Sequence, residues 1–304
     1  MLTSDLLTKD EIRRFSERNN ASALRVVAGN WLMIIAIFAA VAYWTHPVSI
    51  AIAIILLGGR QLGIAVLVHD CGHRTMFTRT SWNRFVAHWL AAPFIFSDAE
   101  EYRVKHNKHH RLGGTKDDPD LQNYVNYAVT RKSFFRKIIR DVTGQTGIKT
   151  LYYSAKGFGP RAVAAWILGQ CVMFGVFYLT GHSWLYLLWP VSWMTSYMLV
   201  VRIRQAAEHG SVPDLLHPDP RKHTRTTYAR WWERLIFAPN NVNYHLEHHI
   251  LASVPCYRLP EFHAYLKEQG HLDSAELCKG YWEVVRKLVL APGDKKGQTI
   301  PTAS

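Results

Sequence analysis

Two long stretches of the sequence lack charged side chains altogether. Asp, Glu, Lys and Arg are absent from residues 26–59 and again from residues 162–201. Because about 20 helical residues cover a hydrocarbon layer of about 30 Å, each stretch is long enough to cross a membrane twice. Polar residues interrupt both stretches, at "YWTHPVS" and at "LTGHSW". Charge-free runs of this length are unusual in soluble proteins, so the sequence predicts two helical hairpins with four membrane spans.

Cysteine is scarce and never paired at short spacing. The four cysteines form no CxxC motif, and the chain also lacks a GxGxxG loop and an HExxH motif. These absences argue against an iron–sulfur cluster, a flavin or nicotinamide site of the common type, and a zinc hydrolase site. We expect the cysteines to be reduced and structural.

The first 25 residues are polar and charged, without an apolar segment followed by a small-residue cleavage site. We therefore expect no cleaved signal peptide. The net charge of +13 would suit a nucleic-acid partner. However, Lys and Arg are absent from both hairpin turns and frequent in the N-terminal arm, after Arg60 and after Arg202. By the positive-inside rule this pattern predicts a multi-pass membrane protein with both termini cytoplasmic and with no nucleic-acid partner.

The predicted fold is an all-α membrane protein in which a helical cytoplasmic cap carries clustered histidines. A cytoplasmic arm is expected over residues 1–25, a membrane domain over 26–290 and a disordered tail over 291–304. The apolar run at 85–96 is too short to span and contains Pro93, so we interpret it as re-entrant or interfacial. The four spans are expected at about 26–44, 48–68, 162–180 and 184–203.

Histidines occur in three short clusters and at one further position. "HDCGH" places two histidines four residues apart, on one face of a helix. "HNKHH" and "HLEHH" share an i, i+3, i+4 spacing, and a single histidine follows the fourth predicted span in "RQAAEHG". All of them lie at or soon after span ends on the predicted cytoplasmic side. The nine residues are His69, His73, His106, His109, His110, His209, His245, His248 and His249.

Nine histidines at one membrane face predict a metal centre. Zinc takes four protein ligands in a structural site and three in a catalytic one, so nine are too many for one tetrahedral ion. They suit two metal ions with four or five nitrogen ligands each, and imidazole binds Fe, Zn, Cu and Ni alike. A ligating histidine needs its second nitrogen fixed by a carboxylate or a carbonyl. The candidates for this role, each of which could equally be a surface charge, are Asp70, Asp118, Asp120, Glu208 and Glu247.

The pattern HxxxH, HxxHH, HxxHH, with the first cluster at a span end, resembles that of the integral-membrane fatty acid desaturase superfamily, which also includes lipid hydroxylases and carotenoid ketolases. The resemblance covers about residues 30–265 and includes "HHRLGGTKDDPDL" and "NNVNYHLEHH". It implies a non-haem enzyme with two iron ions (Fe2+/Fe3+) and O2 as co-substrate. It also implies that the nine histidines are the ligands, that Gln205 contacts the metal centre through water, and that no other side chain is catalytic.

Desaturation of a lipid acyl chain is the favoured activity. An unactivated methylene C–H bond offers neither an acidic proton nor a leaving group, so its cleavage needs an oxidising metal centre. The histidine clusters do not separate desaturation from hydroxylation or ketolation, and the resemblance favours desaturation. A membrane metal transporter is a remote alternative, because its ligands should lie within spans. A zinc hydrolase is equally remote, because HExxH is absent.

Each turnover of such an enzyme needs two electrons, and the chain has no motif for an electron carrier of its own. A separate donor is therefore expected, such as a ferredoxin, a rubredoxin or a b-type cytochrome, and the basic surface would steer an acidic one. The other expected partners are the lipid or acyl substrate and membrane lipids. The active site is expected on the cytoplasmic side, at the inner membrane if the protein is bacterial.

Overall fold

The computed structural model describes residues 6–290, and nearly all regular structure in this range is helical. This confirms the all-α fold class. Residues 1–5 of the expected arm and the expected disordered tail at 291–304 lie outside the described residues. The α-helices are α1 Lys9–Phe15, α2 Asn20–Tyr43, α3 Pro47–Gly72, α4 Thr80–Phe85, α5 Ala99–Leu112, α6 Arg131–Val142, α7 Gln145–Gly157, α8 Pro160–Leu179, α9 Leu188–Ser192, α10 Met198–His209, α11 Pro220–His223, α12 Trp231–Ile236, α13 His245–Ile250, α14 Leu259–Glu268 and α15 Tyr281–Leu288.

Shorter elements join these helices. Two strands, β1 Thr226–Thr227 and β2 Leu277–Cys278, pair in parallel. Single turns of π-helix occur at Val86–Ala91 and Trp193–Tyr197. The 3-10 turns are Ala92–Ile95, Leu121–Asn123, Ser183–Leu187, Pro239–Asn241 and Cys256–Arg258.

Four helical stretches are long and apolar enough to cross a membrane, as the charge-free runs predict. They begin with residues suited to a helix start, since the Asn19 side chain caps α2 and a proline opens both α3 and α8. The last stretch continues to His209, six residues past the expected end, so His209 lies on the same helix as the span. The stretches are Asn20–Tyr43, Pro47–Gly72, Pro160–Leu179 and Ser183–His209.

The chain divides into two compact units. Within the described residues, the histidine unit comprises 6–17, 105–138 and 202–290, and the apolar unit comprises 18–104 and 139–201. The core of the histidine unit includes Tyr124, Phe134, Ala206 and Leu288. It holds the last part of α10 against the segment that follows α5, which is where the histidines lie.

In the apolar unit, the segment after α4 is not a regular α-helix, and its backbone carbonyls need other partners. A carbonyl in an apolar layer is costly to leave unpaired. Side chains of the third and fourth apolar stretches supply the donors. The hydrogen bonds are Gln170 Nε2 to Pro93 O at 3.0 Å, Trp189 Nε1 to Phe94 O at 2.7 Å, Trp193 Nε1 to Ile95 O at 2.9 Å and Trp166 Nε1 to Ser97 O at 3.2 Å.

Candidate metal centre

Seven of the nine histidines lie in the histidine unit, where they separate into two groups. The four-histidine group contains His109, His209, His245 and His249, whose ligand nitrogens all lie within 4.8 Å of one another. The three-histidine group contains His106, His110 and His248, whose ligand nitrogens meet the same limit. Helices α5, α10 and α13 supply these side chains.

The two HxxHH clusters contribute to the groups in a reciprocal way. In each cluster the i and i+4 histidines enter one group and the i+3 histidine enters the other. Thus α5 gives His106 and His110 to the three-histidine group, and α13 gives its i+3 residue, His248, to the same group. Helix geometry accounts for the split, because residues i and i+4 point about 40° apart whereas i+3 and i+4 point about 100° apart.

In the four-histidine group the Nε2 atoms face one another. The Nε2 atoms of His209 and His245 are 2.8 Å apart, and those of His109 and His249 are 3.3 Å apart. His109, His209 and His245 are each less than 5% exposed, at 2%, 4% and 3%. Four imidazole edges therefore converge on one small buried volume.

The partners of the Nδ1 atoms define the tautomers in this group. Nδ1 of His209 donates to the backbone carbonyl of His223 at 3.0 Å, and Nδ1 of His245 lies 3.3 Å from Glu208 Oε1. A carbonyl oxygen accepts, so the His209 ring carries its proton on Nδ1 and a lone pair on Nε2. The Nε2 lone pair of His209 therefore faces His245 Nε2 at 2.8 Å.

Asp118 orients His109 in the same manner. Its Oδ1 accepts from His109 Nδ1 at 2.8 Å, and its Oδ2 accepts from the Tyr124 hydroxyl. Burial opposes ionisation of Asp118, but the hydrogen bonds from His109, Tyr124 and the backbone N–H of Asp120 outweigh it and lower the pKa of the carboxyl below its usual value. Burial and the carboxylate raise the pKa of Tyr124. The carboxylate is thus held ionised and the phenol neutral.

Burial also keeps the His245 ring neutral. It lowers the pKa of His245 well below its usual value, and the neighbouring His209 adds to the shift. Neutral imidazole is the form that binds metal ions.

The three-histidine group is similarly close-packed. His110 Nε2 lies 3.0 Å from His106 Nε2 and 2.9 Å from His248 Nε2. His106 and His248 are buried. A cavity of about 330 Å³ borders both groups, with His110, His223 and His249 in its lining.

The remaining predicted ligands, His69 and His73, lie in the apolar unit at the end of α3. Their ring centroids are 4.9 Å apart, as expected for an i, i+4 pair. Nδ1 of His69 donates to Asp70 Oδ1 at 2.7 Å, which leaves the lone pair of this ring on Nε2.

The candidate orienting residues fall into three classes. Asp70, Asp118 and Glu208 contact the Nδ1 atoms of predicted ligands, and Glu208 also pairs with Arg204 at 2.5 Å. Asp120 pairs with Lys105 at 2.9 Å. Glu247 is fully buried and accepts from His263 Nδ1 at 2.6 Å and from Thr226 Oγ1 at 2.5 Å. Gln205 is half-buried on α10, one turn before His209.

Three supporting residues were not foreseen from the sequence. His223 provides the carbonyl for His209, and its own Nδ1 donates to His217 O at 2.7 Å. Tyr124 supports Asp118, and His263 supports Glu247. Their positions follow only from tertiary contacts, although His263 ends the "VPCYRLPEFH" segment that follows the third cluster.

The residues present fit a metal ion. Two imidazoles bound at about 2.1 Å with an angle of about 90° between them, as in octahedral geometry, place their nitrogens about 3.0 Å apart. The four close Nε2 pairs, at 2.8 Å to 3.3 Å, match this spacing. Fixed Nδ1 protons, converging lone pairs and buried neutral rings together form donor sets that a divalent cation satisfies.

Comparison with known proteins identifies the family. Residues 45–279 match the model of the fatty acid desaturase family. The chain is 26% identical over 240 residues to a dihydrorhizobitoxine desaturase of Bradyrhizobium elkanii, covering 72% of this chain and 67% of that protein. It is 24% identical over 249 residues to an sn-1 oleoyl-lipid 12-desaturase of Anabaena variabilis, covering 71% of this chain and 69% of that protein.

A third relative is a beta-carotene ketolase of a Paracoccus species, with 28% identity over 230 residues, covering 71% of this chain and 79% of that protein. The family model spans most of the chain. Members of the fatty acid desaturase family are iron-dependent oxidoreductases that act on lipid acyl chains. The histidine groups and the four apolar helices fit that membership. The protein belongs to the fatty acid desaturase family.

Proposed function

We propose that the protein is an oxygen-dependent di-iron desaturase that introduces a double bond into a lipid acyl chain. The observation that carries the proposal is the convergence of four histidine rings in the four-histidine group, where the Nε2 atoms of His209 and His245 lie 2.8 Å apart. A bound cation is the simplest means of stabilising this arrangement. Iron is the metal on which the family depends.

The nine histidines divide into two ligand sets in this proposal. The four-histidine group binds one iron. The three-histidine group contributes to the second, and His69 and His73 are proposed as the remaining ligands. Their separation into groups of four and three in the histidine unit supports this assignment, as does the Nδ1 contact of His69 with Asp70. Gln205 is proposed to contact the centre through water from its place on α10.

The proposed reaction balances with O2 and two electrons. Two hydrogens leave adjacent carbons, and together with two protons, two electrons and one O2 they yield the double bond and two water molecules. Bound iron supplies the oxidising power, which no side chain of the chain supplies. The residues themselves bind and orient the iron, hold protons at the Nδ1 atoms of His109 and His209, and keep bulk water from the four-histidine group.

The proposal places the four apolar helices across a membrane, within a membrane domain over 26–290, and both termini and the metal centre on the cytoplasmic side. The distribution of Lys and Arg supports this orientation. The membrane is the inner membrane if the protein is bacterial.

Electrons reach the iron from a separate acidic donor in this proposal, such as a ferredoxin, a rubredoxin or a b-type cytochrome. The net charge of +13 supports this class of partner. Turnover is expected to stop without reductant, and many turnovers without it would contradict this part of the proposal.

Hydroxylation or ketolation of an apolar substrate is the second candidate, and the ketolase relative is the observation that favours it. These reactions insert an oxygen atom, whereas desaturation removes only hydrogen. The mass of the product separates them, since desaturation lowers it by two hydrogens and hydroxylation raises it by one oxygen.

The decisive experiment expresses the full chain in a host with few unsaturated lipids and profiles the lipids by mass spectrometry. The wild type is expected to yield a new unsaturated acyl chain, and His109→Ala is expected to abolish it. His182→Ala is the matched control, because His182 is not one of the nine predicted ligands and its Nδ1 donates locally to Thr180 O. A product that persists in His109→Ala would contradict the proposed metal site.

A further inference from the structure

A large cavity lies in the apolar unit. Its volume is about 870 Å³, and its lining comes from α4, the irregular segment that follows α4, the start of α5 and the first half of α8. No lining residue is one of the nine predicted ligands. The cavity is therefore a separate feature of the molecule.

Two helical stripes form the walls of this cavity. On α8, Arg161, Ala165 and Leu168 follow the i, i+4, i+7 spacing of one helix face. Since seven helical residues rise about 10 Å, this stripe runs from the end of the span well into its apolar part. Alanines at 162, 164 and 165 leave the groove open where larger side chains would fill it. The opposite wall carries Phe85 and Trp89.

The walls are apolar but are left uncovered by protein. Phe85 is 48% exposed, Trp89 52% and Leu168 53%. Because α8 is one of the four helices that are apolar enough to span a membrane, lipid rather than water is the medium that suits these surfaces. Tryptophan near a span end is typical of the interface between hydrocarbon and headgroups.

Two arginines line the cavity. These residues, Arg84 and Arg161, are both exposed, and Arg84 lies close enough to Glu100 to contribute to the lowered pKa of that carboxyl. The two acidic residues of the lining are already engaged. Glu100 accepts from Arg103, and Asp98 Oδ1 accepts from the backbone N–H groups of Glu100 and Glu101 at 2.8 Å and 3.1 Å.

We propose that this cavity binds an anionic phospholipid of the surrounding bilayer. The headgroup phosphate lies between Arg84 and Arg161, and one acyl chain follows the groove past Ala165 to Leu168. Arginine suits a phosphate because its planar guanidinium donates two parallel hydrogen bonds. The arginines match the phosphate of such a lipid, and the apolar groove matches an acyl chain. On α8, Arg161 precedes Ala165 and Leu168, so the charged side chain lies at the end of the span and the apolar ones lie deeper in it.

Native mass spectrometry of the purified full-length protein tests this proposal, with phosphatidylglycerol and phosphatidylcholine as probes. We expect one phosphatidylglycerol to be retained in preference to phosphatidylcholine. Arg84→Gln/Arg161→Gln is expected to weaken its binding by about tenfold or more, because charge-assisted contacts are lost. Ala165→Trp fills the groove without a change of charge and is expected to weaken binding as well.

The matched control is Arg79→Gln/Arg140→Gln, which removes the same charge at two exposed positions outside the lining. It is expected to bind phosphatidylglycerol like the wild type. Inorganic phosphate at millimolar concentration is expected not to compete, since it has no acyl chain. Equal losses in both double variants, unchanged binding in Arg84→Gln/Arg161→Gln, or displacement by phosphate would overturn the proposal. Circular dichroism and metal content verify that each variant is folded, and neither readout depends on desaturation.

Discussion

Asp118 holds His109 through a hydrogen bond of 2.8 Å between Oδ1 and Nδ1, and the Tyr124 hydroxyl holds Asp118 in turn. All three residues are buried. The chain of contacts fixes the ring of a predicted ligand and its tautomer. It also links the "HNKHH" cluster to the "TKDDPD" segment that follows it.

Asp118→Asn is expected to weaken iron binding by about tenfold to a hundredfold, because loss of the carboxylate removes the charged partner that orients His109 and raises its basicity. Tyr124→Phe should have a smaller effect, since it leaves the carboxylate in place. Iron titration of the metal-free protein measures both. Asp117→Asn is the control at an exposed neighbouring carboxylate, and an equal loss in this variant would refute a specific role for Asp118.

The buried Glu247 carboxylate is expected to depend on His263. His263 is one of two side-chain donors to Glu247, the other being Thr226, and a buried acceptor that loses its donor costs about 1–3 kcal/mol. His263→Ala should therefore lower the melting temperature markedly, and Glu247→Leu/His263→Leu should lose less than the sum of the two single changes. Additive losses in thermal unfolding would show that the 2.6 Å contact contributes little.

Gly58 is expected to be essential for packing within the apolar unit. A Cβ atom at this position would lie 2.4 Å from Ser196 Oγ and 2.8 Å from Tyr197 N. Gly58→Ala should thus destabilise the protein by about 1–3 kcal/mol. Gly29→Ala is the matched control in α2, where a Cβ meets nothing within 4 Å, and it should be neutral or slightly stabilising. Equal melting temperatures for both variants would contradict this close approach.

The metal-free protein is expected to lose stability in acid. Burial lowers the pKa of His245 well below its usual value of 6.5, so the folded chain keeps this ring neutral whereas the unfolded chain protonates it. Stability is therefore fully present above about pH 6.5 and falls as the pH drops below it, by up to about 1.4 kcal/mol per pH unit for each such ring. Thermal unfolding between about pH 7.5 and about pH 5.5 measures this. His245→Asn should flatten the dependence, and a rise in stability toward acid would contradict the account.

The fold class could be predicted from the sequence, because long stretches without charged residues indicate apolar helices directly. The sequence also located the histidine clusters, since their i, i+3, i+4 spacing can be read from the order of the residues. Helix periodicity even accounts for the reciprocal split, in which His248 of α13 joins His106 and His110 of α5. That split was not predicted, because it depends on two helices that lie far apart in the sequence.

Contacts between residues that are far apart in the sequence could not be predicted, for the same reason. The carbonyl of His223 and the ring of His263 belong to residues that resemble ordinary polar positions in the sequence. Of the carboxylates proposed from proximity in sequence, Asp70 and Asp118 contact ligand rings, whereas Asp120 pairs with Lys105. Only the folded chain distinguishes an orienting carboxylate from one that pairs with a lysine.

The central claim is that the histidines form two separate metal sites. Iron analysis of the purified wild type and of two single variants tests it most directly. The account predicts about two irons per chain for the wild type and about one for either His245→Ala or His248→Ala, because each variant impairs a different group. One iron per chain in the wild type, or complete loss of iron in both variants together with an intact fold, would contradict it.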